Sequence, residues 1–187
     1  MIDRIAIVFL DRDGTLNHDE GYLADPQQLV LFPGAADAVA ALNAAGVKAV
    51  LITNQSGVGR GVIAPAALDR IHARLRALLA ERGARLDGIY ACLHRPEDGC
   101  ACRKPETALA LRAAHDLGVD AARSVMIGDK AADIEMGRRL GGLSILVRTG
   151  YGAQTEVDLD EGSRPDYIAR DLHDAVQWLG FRARARP

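Results

Sequence analysis

Aromatic residues are scarce in this 187-residue chain: they make up 4% of it, with a single tryptophan. Platforms that stack unpaired bases need several exposed rings, so a binder of single-stranded nucleic acid is disfavoured. Excess positive charge is lacking as well. The formal net charge is −2, which argues against the broad basic surface that a phosphate backbone requires. No apolar run approaches the roughly 20 residues that cross a bilayer, and Met1-Ile2-Asp3-Arg4 does not open like a secretory signal. Cysteine is limited to Cys92, Cys100 and Cys102. An odd number crowded into one short segment makes a poor disulfide framework and suits a reducing compartment. These shortages point away from nucleic acid and membrane, toward a cytoplasmic protein with a small partner.

Hydrophobic residues make up 49% of the chain, ample for the core of one domain over residues 1–187. Apolar, β-rich runs at 5–10, 47–52, 88–93, 124–127 and 143–147 alternate with helical patterns at 35–45, 65–82, 106–117 and 131–140. Gly46, Gly83, Gly118 and Gly141 follow the helical segments, where C-terminal glycines are expected. Such alternation predicts an α/β fold, a Rossmann-like parallel sheet with helices on both faces. Residues 182–187 read as a frayed tail. Ligands of these sheets sit beyond the carboxyl ends of the strands, so the residues directly after each apolar run are the candidates.

The first run ends in Asp11-Arg12-Asp13-Gly14-Thr15. Two carboxylates at the edge of a buried strand repel one another and resist desolvation, a conflict that an oxygen-seeking divalent cation relieves. An acidic turn closed by Gly14 is the plainer reading of that segment alone. The second run ends in Thr53-Asn54-Gln55-Ser56-Gly57, offering a hydroxyl and main-chain N–H groups to phosphate oxygens. Gly57, Gly59 and Gly61 lack the spacing and the Lys-Ser/Thr ending of a nucleotide-binding P-loop. Arg103-Lys104-Pro105 precedes a helical pattern, and Pro105 suits its first position. Two cations there oppose the helix dipole alone, but suit a bound anion. The fourth run ends in Gly128-Asp129-Lys130-Ala131-Ala132-Asp133. Asp133 reads either as a partner of Asp129 on one helical face or as a solvated first-turn acid. Acids for a metal, with a hydroxyl and a cation for phosphate, all end strands.

Just before Arg103 lies Cys92-Leu93-His94-Arg95-Pro96-Glu97-Asp98-Gly99-Cys100-Ala101-Cys102. Cys92, His94, Cys100 and Cys102 form a closed tetrahedral set for Zn²⁺, the alternative being three free thiols beside an unrelated histidine. With four protein ligands the ion would be structural, and it would fix Arg103 and Lys104.

Together these residues resemble the haloacid dehalogenase-like phosphotransferase superfamily. Asp11-Arg12-Asp13-Gly14-Thr15 looks like its first motif, Thr53 its second, Lys104 its third, and Gly128-Asp129 with Asp133 its fourth. The resemblance implies a phosphatase in which Asp11 is the nucleophile on phosphorus, while Asp13 protonates the leaving oxygen and then activates water. It implies Mg²⁺ on Asp11, the Asp13 main-chain carbonyl and Asp129, with Thr53 and Lys104 stabilising the phosphoryl group. It also implies a haloacid dehalogenase-like sheet without a large cap domain, since the spaces between motifs are short.

The zinc loop narrows the resemblance to two groups, the heptose bisphosphate phosphatases and the histidinol-phosphate phosphatases. Its short spacing fits either group. Leu16-Asn17-His18-Asp19-Glu20-Gly21-Tyr22, Gly128-Asp129-Lys130 and Val147-Arg148-Thr149-Gly150 are similar to the heptose group. Membership there implies removal of the C7 phosphate of a heptose 1,7-bisphosphate, on the route to lipopolysaccharide core heptose. It implies substrate contacts from Asp19, Glu20, Gly21 and Tyr22, and from Thr53, Asn54, Gln55 and Ser56. Arg103 would read the distal phosphate and Lys130 would support the metal and phosphate site. His18 is expected to be a polar loop residue, and the protein a monomer. A zinc-stabilised binding module without catalysis is the alternative, opposed by the intact acids and Lys104.

Overall fold

Side chains of successive strand residues face opposite ways, and this period decides how the layers assemble. The computed structural model describes residues 5–19 and 21–181. Its elements in chain order are β1 (Ile7–Leu10), α1 (Ala35–Ala44), β2 (Lys48–Asn54), α2 (Ser56–Gly59), α3 (Pro65–Ala80), β3 (Gly88–Cys92), α4 (Ala108–Asp116), β4 (Ser124–Gly128), α5 (Ala131–Arg139), β5 (Leu143–Val147), α6 (Gly152–Asp158), β6 (Tyr167–Ala169) and α7 (Leu172–Trp178). The strands form one sheet in the order β3-β2-β1-β4-β5-β6, with every pairing parallel.

All four residues of β1 are buried, as a central parallel strand covered on both faces requires. Val8 and Leu10 enter a core with Val39 and Leu42 of α1, Ile71 and Leu75 of α3, and Val176 of α7. Ile7 and Phe9 face the other way, against Ala110 and Ala113 of α4 and Met136 of α5. The sheet is thus covered on both faces, and cutting Phe9 back to alanine would cost about 3–5 kcal/mol.

Helix endings follow the glycine pattern. Gly46, Gly83, Gly118 and Gly141 adopt φ of 76°, 71°, 65° and 74°, the left-handed conformation that closes a helix. Between β1 and α1, and between β3 and α4, the only helices are the single turns Pro26–Gln28 and Pro96–Asp98. No cap domain is inserted among the described residues.

Three differences from the sequence reading matter. β2 runs on through Thr53 and Asn54, so both are strand residues. The helix expected at 106–117 begins only at Ala108, leaving Pro105 outside it. β6, α2, α6 and α7 were not expected; all four are seven residues or fewer, too short for a periodic signal. The tail at 182–187 and the opening Met1-Ile2-Asp3-Arg4 lie outside the described residues. Among the described residues, no helix is long and apolar enough to cross a membrane.

Candidate active site

From β1 the chain builds outward to β2 and β3, then returns to lay β4 on the other side of β1. Connections leaving β1 and β4 therefore diverge and open a crevice at their carboxyl ends. Asp11 stands at this point, its main-chain N–H donating to Ile127 O at 3.0 Å. Asp129 comes directly after the last residue of β4. Lys104 Nζ reaches between two acids, 2.6 Å from Asp11 Oδ1 and 2.7 Å from Asp133 Oδ1. All four side chains are buried.

Carboxylate oxygens of Asp11, Asp129 and Asp133 lie within 4.8 Å of one another. Three ionised acids against one ammonium leave two uncompensated negative charges, the deficit that one divalent cation fills. Without it, burial first and the Asp11 charge second push the Asp129 carboxyl up to about 7, while burial pushes that of Asp11 up to about 6 against the opposing pull of Lys104. Asp129 Oδ2 accepts from Tyr151 N at 2.8 Å, while its buried Oδ1 has no hydrogen-bond partner. A buried, orphaned carboxylate oxygen among acids fits a hard, oxygen-coordinated cation.

Asp13 is turned away from this cluster. Its carboxylate takes two bonds from the buried Arg12, at 3.0 and 2.8 Å, one from Asn17 Nδ2 at 3.0 Å and one from Gln55 Nε2 at 2.9 Å. Burial works against its ionisation, but Arg12 and the other donors outweigh burial and hold its carboxyl below the usual value. Only the main chain of Asp13 remains for a metal. Gln55 also donates to Thr53 Oγ1 at 2.8 Å, which leaves the Thr53 hydroxyl proton for another acceptor.

Lys104 is placed by β2 and not by a helix end. Asn54 at the end of β2 bonds the Lys104 main chain, and α4 starts too late for its dipole to act on Arg103 and Lys104. A helix N-terminus therefore does not account for these cations. The solvated reading of Asp133 is corrected too: it is 1% exposed, accepts from Lys130 N at 3.0 Å and pairs with Lys104. A lysine 29 positions earlier fills its environment, so helix periodicity alone could not decide it.

In the loop after β3, Sγ of Cys102 lies 3.1 Å from that of Cys92 and 3.5 Å from that of Cys100, and Cys92 and Cys100 are 3.6 Å apart. His94 Nδ1 faces Cys102 Sγ at 3.2 Å and Cys92 Sγ at 3.7 Å. Four soft donors gathered this way suit tetrahedral zinc. The loop also buttresses the end of β2: Gln55 N donates to Cys92 O at 2.7 Å, and Arg60 pairs with Glu97 at 3.0 Å. At Gly59 any Cβ would collide with Leu93 O. Close packing, not phosphate binding, thus accounts for that glycine.

A cavity of about 410 Å³ opens over the acids. Asp19, Gly21, Tyr22, Thr53, Asn54, Gln55, Ser56, Arg103 and Lys130 all line it, as expected from the sequence; Glu20 lies outside the described residues. The amide of Asn54 is already committed to Lys104. Lys130 Nζ pairs with Asp19 at 3.2 Å. His18 is exposed, its ring 4.1 Å from that of Phe32, and it does not line this cavity. Sequence reading missed the Arg12 clamp on Asp13, and it named Arg148-Thr149-Gly150 after β5 only as a family signature, with no role at the site. There Thr149 Oγ1 donates to Gly14 O at 2.6 Å and Tyr151 secures Asp129. That segment had a signal in the sequence: it stands at the end of the fifth apolar run, as the other candidates stand at the ends of earlier ones.

A family profile described as HAD-hydrolase-like matches residues 101–175. The D-glycero-D-manno-heptose-1,7-bisphosphate 7-phosphatase of Thermosynechococcus vestitus is 45% identical, covering 92% of this chain and 94% of its own. The D-glycero-β-D-manno-heptose-1,7-bisphosphate 7-phosphatase of Bordetella bronchiseptica is 38% identical over 92% of this chain and 97% of its own. A crystal structure of the B. bronchiseptica phosphatase, complexed with magnesium and phosphate, superposes with a TM-score of 0.85 at 36% identity, covering 94% of this chain and 98% of that one. A shared sheet, shared motifs and near-complete coverage agree: this chain belongs to the haloacid dehalogenase-like hydrolases, in the family of the heptose-1,7-bisphosphate 7-phosphatases.

Proposed function

We propose that this chain is a Mg²⁺-dependent phosphatase that removes the C7 phosphate of D-glycero-D-manno-heptose 1,7-bisphosphate through an aspartyl-phosphate at Asp11. The observation that carries the reading is the ion pair of Lys104 with Asp11 inside a carboxylate cluster whose charge calls for a divalent cation. Phosphate monoesters resist water, and enzymes accelerate their hydrolysis by up to roughly 10²¹-fold. Most of that comes from positioning and from neutralising charge on the phosphoryl oxygens.

Asp11, Asp129 and the Asp13 main-chain carbonyl would hold Mg²⁺, which supplies charge neutralisation at the phosphoryl group. Asp11 attacks phosphorus; the bond to the C7 oxygen breaks, and that oxygen takes a proton from Asp13. Asp13 then removes a proton from a water that attacks the acyl phosphate, releasing inorganic phosphate and restoring Asp11. Arg12 keeps Asp13 ionised before substrate arrives, so the incoming phosphate must raise its proton affinity and draw it from Arg12. Lys104 and the Thr53 hydroxyl take the phosphoryl oxygens opposite the cation.

Arg103 and Lys130 on the rim favour a substrate with a second phosphate over histidinol phosphate, which carries a cationic amine. Cys92, His94, Cys100 and Cys102 would hold a structural Zn²⁺ that braces Lys104 and the end of β2. A reducing cytoplasm keeps those thiols available. Residues 1–187 would act as one catalytic domain, and as a monomer. The experiment is turnover, with MgCl2, of both anomers of heptose 1,7-bisphosphate and of histidinol phosphate. Preference for a heptose bisphosphate is expected. Preference for histidinol phosphate would reject the substrate and retain the mechanism.

A further inference from the structure

Two of the four tyrosines, Tyr22 and Tyr151, are about half exposed, and both line the cavity over the acids. The other two are engaged: Tyr90 donates to Asp116, and Tyr167 stacks on Trp178. Tyr22 falls in a segment already read as substrate-binding; Tyr151 has no assigned role. Its main chain is fixed on the acidic centre. Tyr151 N donates to Asp129, and Thr149 is tied to Gly14. Gly150, at φ of 58°, packs so closely on Asp129 and Gly14 that no side chain fits. The Tyr151 ring, 55% exposed for the residue as a whole, therefore stands on a rigid base. One face of that ring holds the ammonium of Lys130, 4.8 Å from its centroid, while Lys130 also pairs with Asp19. Apart from Lys130, this half-exposed ring stands free among the described residues, beside a polar cavity. It borders a cation whose direction it helps to set.

We infer that Tyr151 is a specificity-determining residue, whose ring packs against the carbon chain of a sugar phosphate and aims Lys130 at it. The inference rests on the sugar-phosphatase reading of the same cavity. Removing the ring strips this contact and frees Lys130, yet spares the hydrogen bond to Asp129, which any non-proline residue makes through its main chain. The loss should fall on recognition of the sugar rather than on phosphoryl transfer.

The test compares kcat and KM of the wild-type protein, Tyr151→Ala and Tyr151→Phe, all in MgCl2. Substrates are acetyl phosphate, which has no sugar, and whichever sugar phosphate the wild type hydrolyses best. For Tyr151→Ala, the loss in kcat/KM is expected to be about tenfold greater on the sugar phosphate than on acetyl phosphate, and to lie mainly in KM. Tyr151→Phe, which keeps the ring, should recover most of it. Equal losses on both substrates, no loss on either, or a Phe variant as impaired as the Ala variant would overturn the inference. Failure of the wild type on heptose bisphosphate would count against the substrate reading alone, because the comparison uses whichever sugar phosphate is turned over.

Discussion

Asn54 grips Lys104 across 50 positions of sequence: its side-chain oxygen accepts from Lys104 N at 3.0 Å, and its amide donates to Lys104 O at 3.2 Å. The last residue of β2 thus sets the residue that meets Asp11. Two such bonds are together worth about 1–3 kcal/mol. Asn54→Ala is expected to lower kcat by about ten- to a hundredfold while Mg²⁺ affinity stays near that of the wild type. Steady-state kinetics across a MgCl2 titration measures both; wild-type kcat would show that Lys104 is held by other means.

Protons and the proposed divalent cation would compete for Asp11 and Asp129. Their carboxyls sit at about 6 and about 7 in the folded protein, against an ordinary 3.8. Between those values the folded state binds more protons than the unfolded one. The stability these two groups lend is therefore full at low pH and lost as pH rises through about 6 to 7. Mg²⁺ replaces the departing protons. The Tm gain from added MgCl2 should accordingly be larger at about pH 8 than at about pH 6, and nearly absent at about pH 5. A gain independent of pH would show that the cation binds elsewhere.

Gly150 admits no side chain. Its φ is 58°, and a Cβ would run into Asp129 Oδ2 and the Gly14 main chain. Gly150→Ala is expected to cost about 2 kcal/mol or more of stability and to weaken Mg²⁺ binding, since Asp129 must move. Denaturant unfolding with and without MgCl2 measures both effects; wild-type behaviour in each would remove this segment from the metal site.

Zinc should link the cysteine loop to catalysis at a distance. Cys102→Ser removes one of the four proposed zinc ligands, beside Arg103 and Lys104. It is expected to drop zinc content well below one per chain, lower the Tm and reduce turnover by about a hundredfold. Elemental analysis with calorimetry and kinetics tests this. A zinc-free protein with wild-type turnover would separate the loop from the active site.

The layout of the sheet was legible because β1, β2, β4 and β5 are buried strands with apolar sequence, each closed by a polar residue. Asp11, Asp129 and Thr53 were legible for the same reason, since they end or directly follow those runs, whereas Lys104 lies in the loop between β3 and α4. What escaped depends on contacts between segments far apart. By periodicity Asp133 reads either as a partner of Asp129 or as a solvated helix acid until Lys104 arrives beside it. Pro105 reads as a helix start until Asn54 claims the residue before it. Arg12 received no role from the sequence, yet it is fully buried and clamps Asp13. The three-residue β6 carries too few side chains to show a period, and only its pairing with β5 defines it.

The most direct test asks whether phosphate passes through Asp11. Acid quenching of a single turnover with heptose bisphosphate labelled at the C7 phosphate should trap label on the wild-type protein at Asp11, and none on Asp11→Asn. That variant should fold, yet show no turnover. Turnover by Asp11→Asn at the wild-type rate, or label trapped on another residue, would contradict the account.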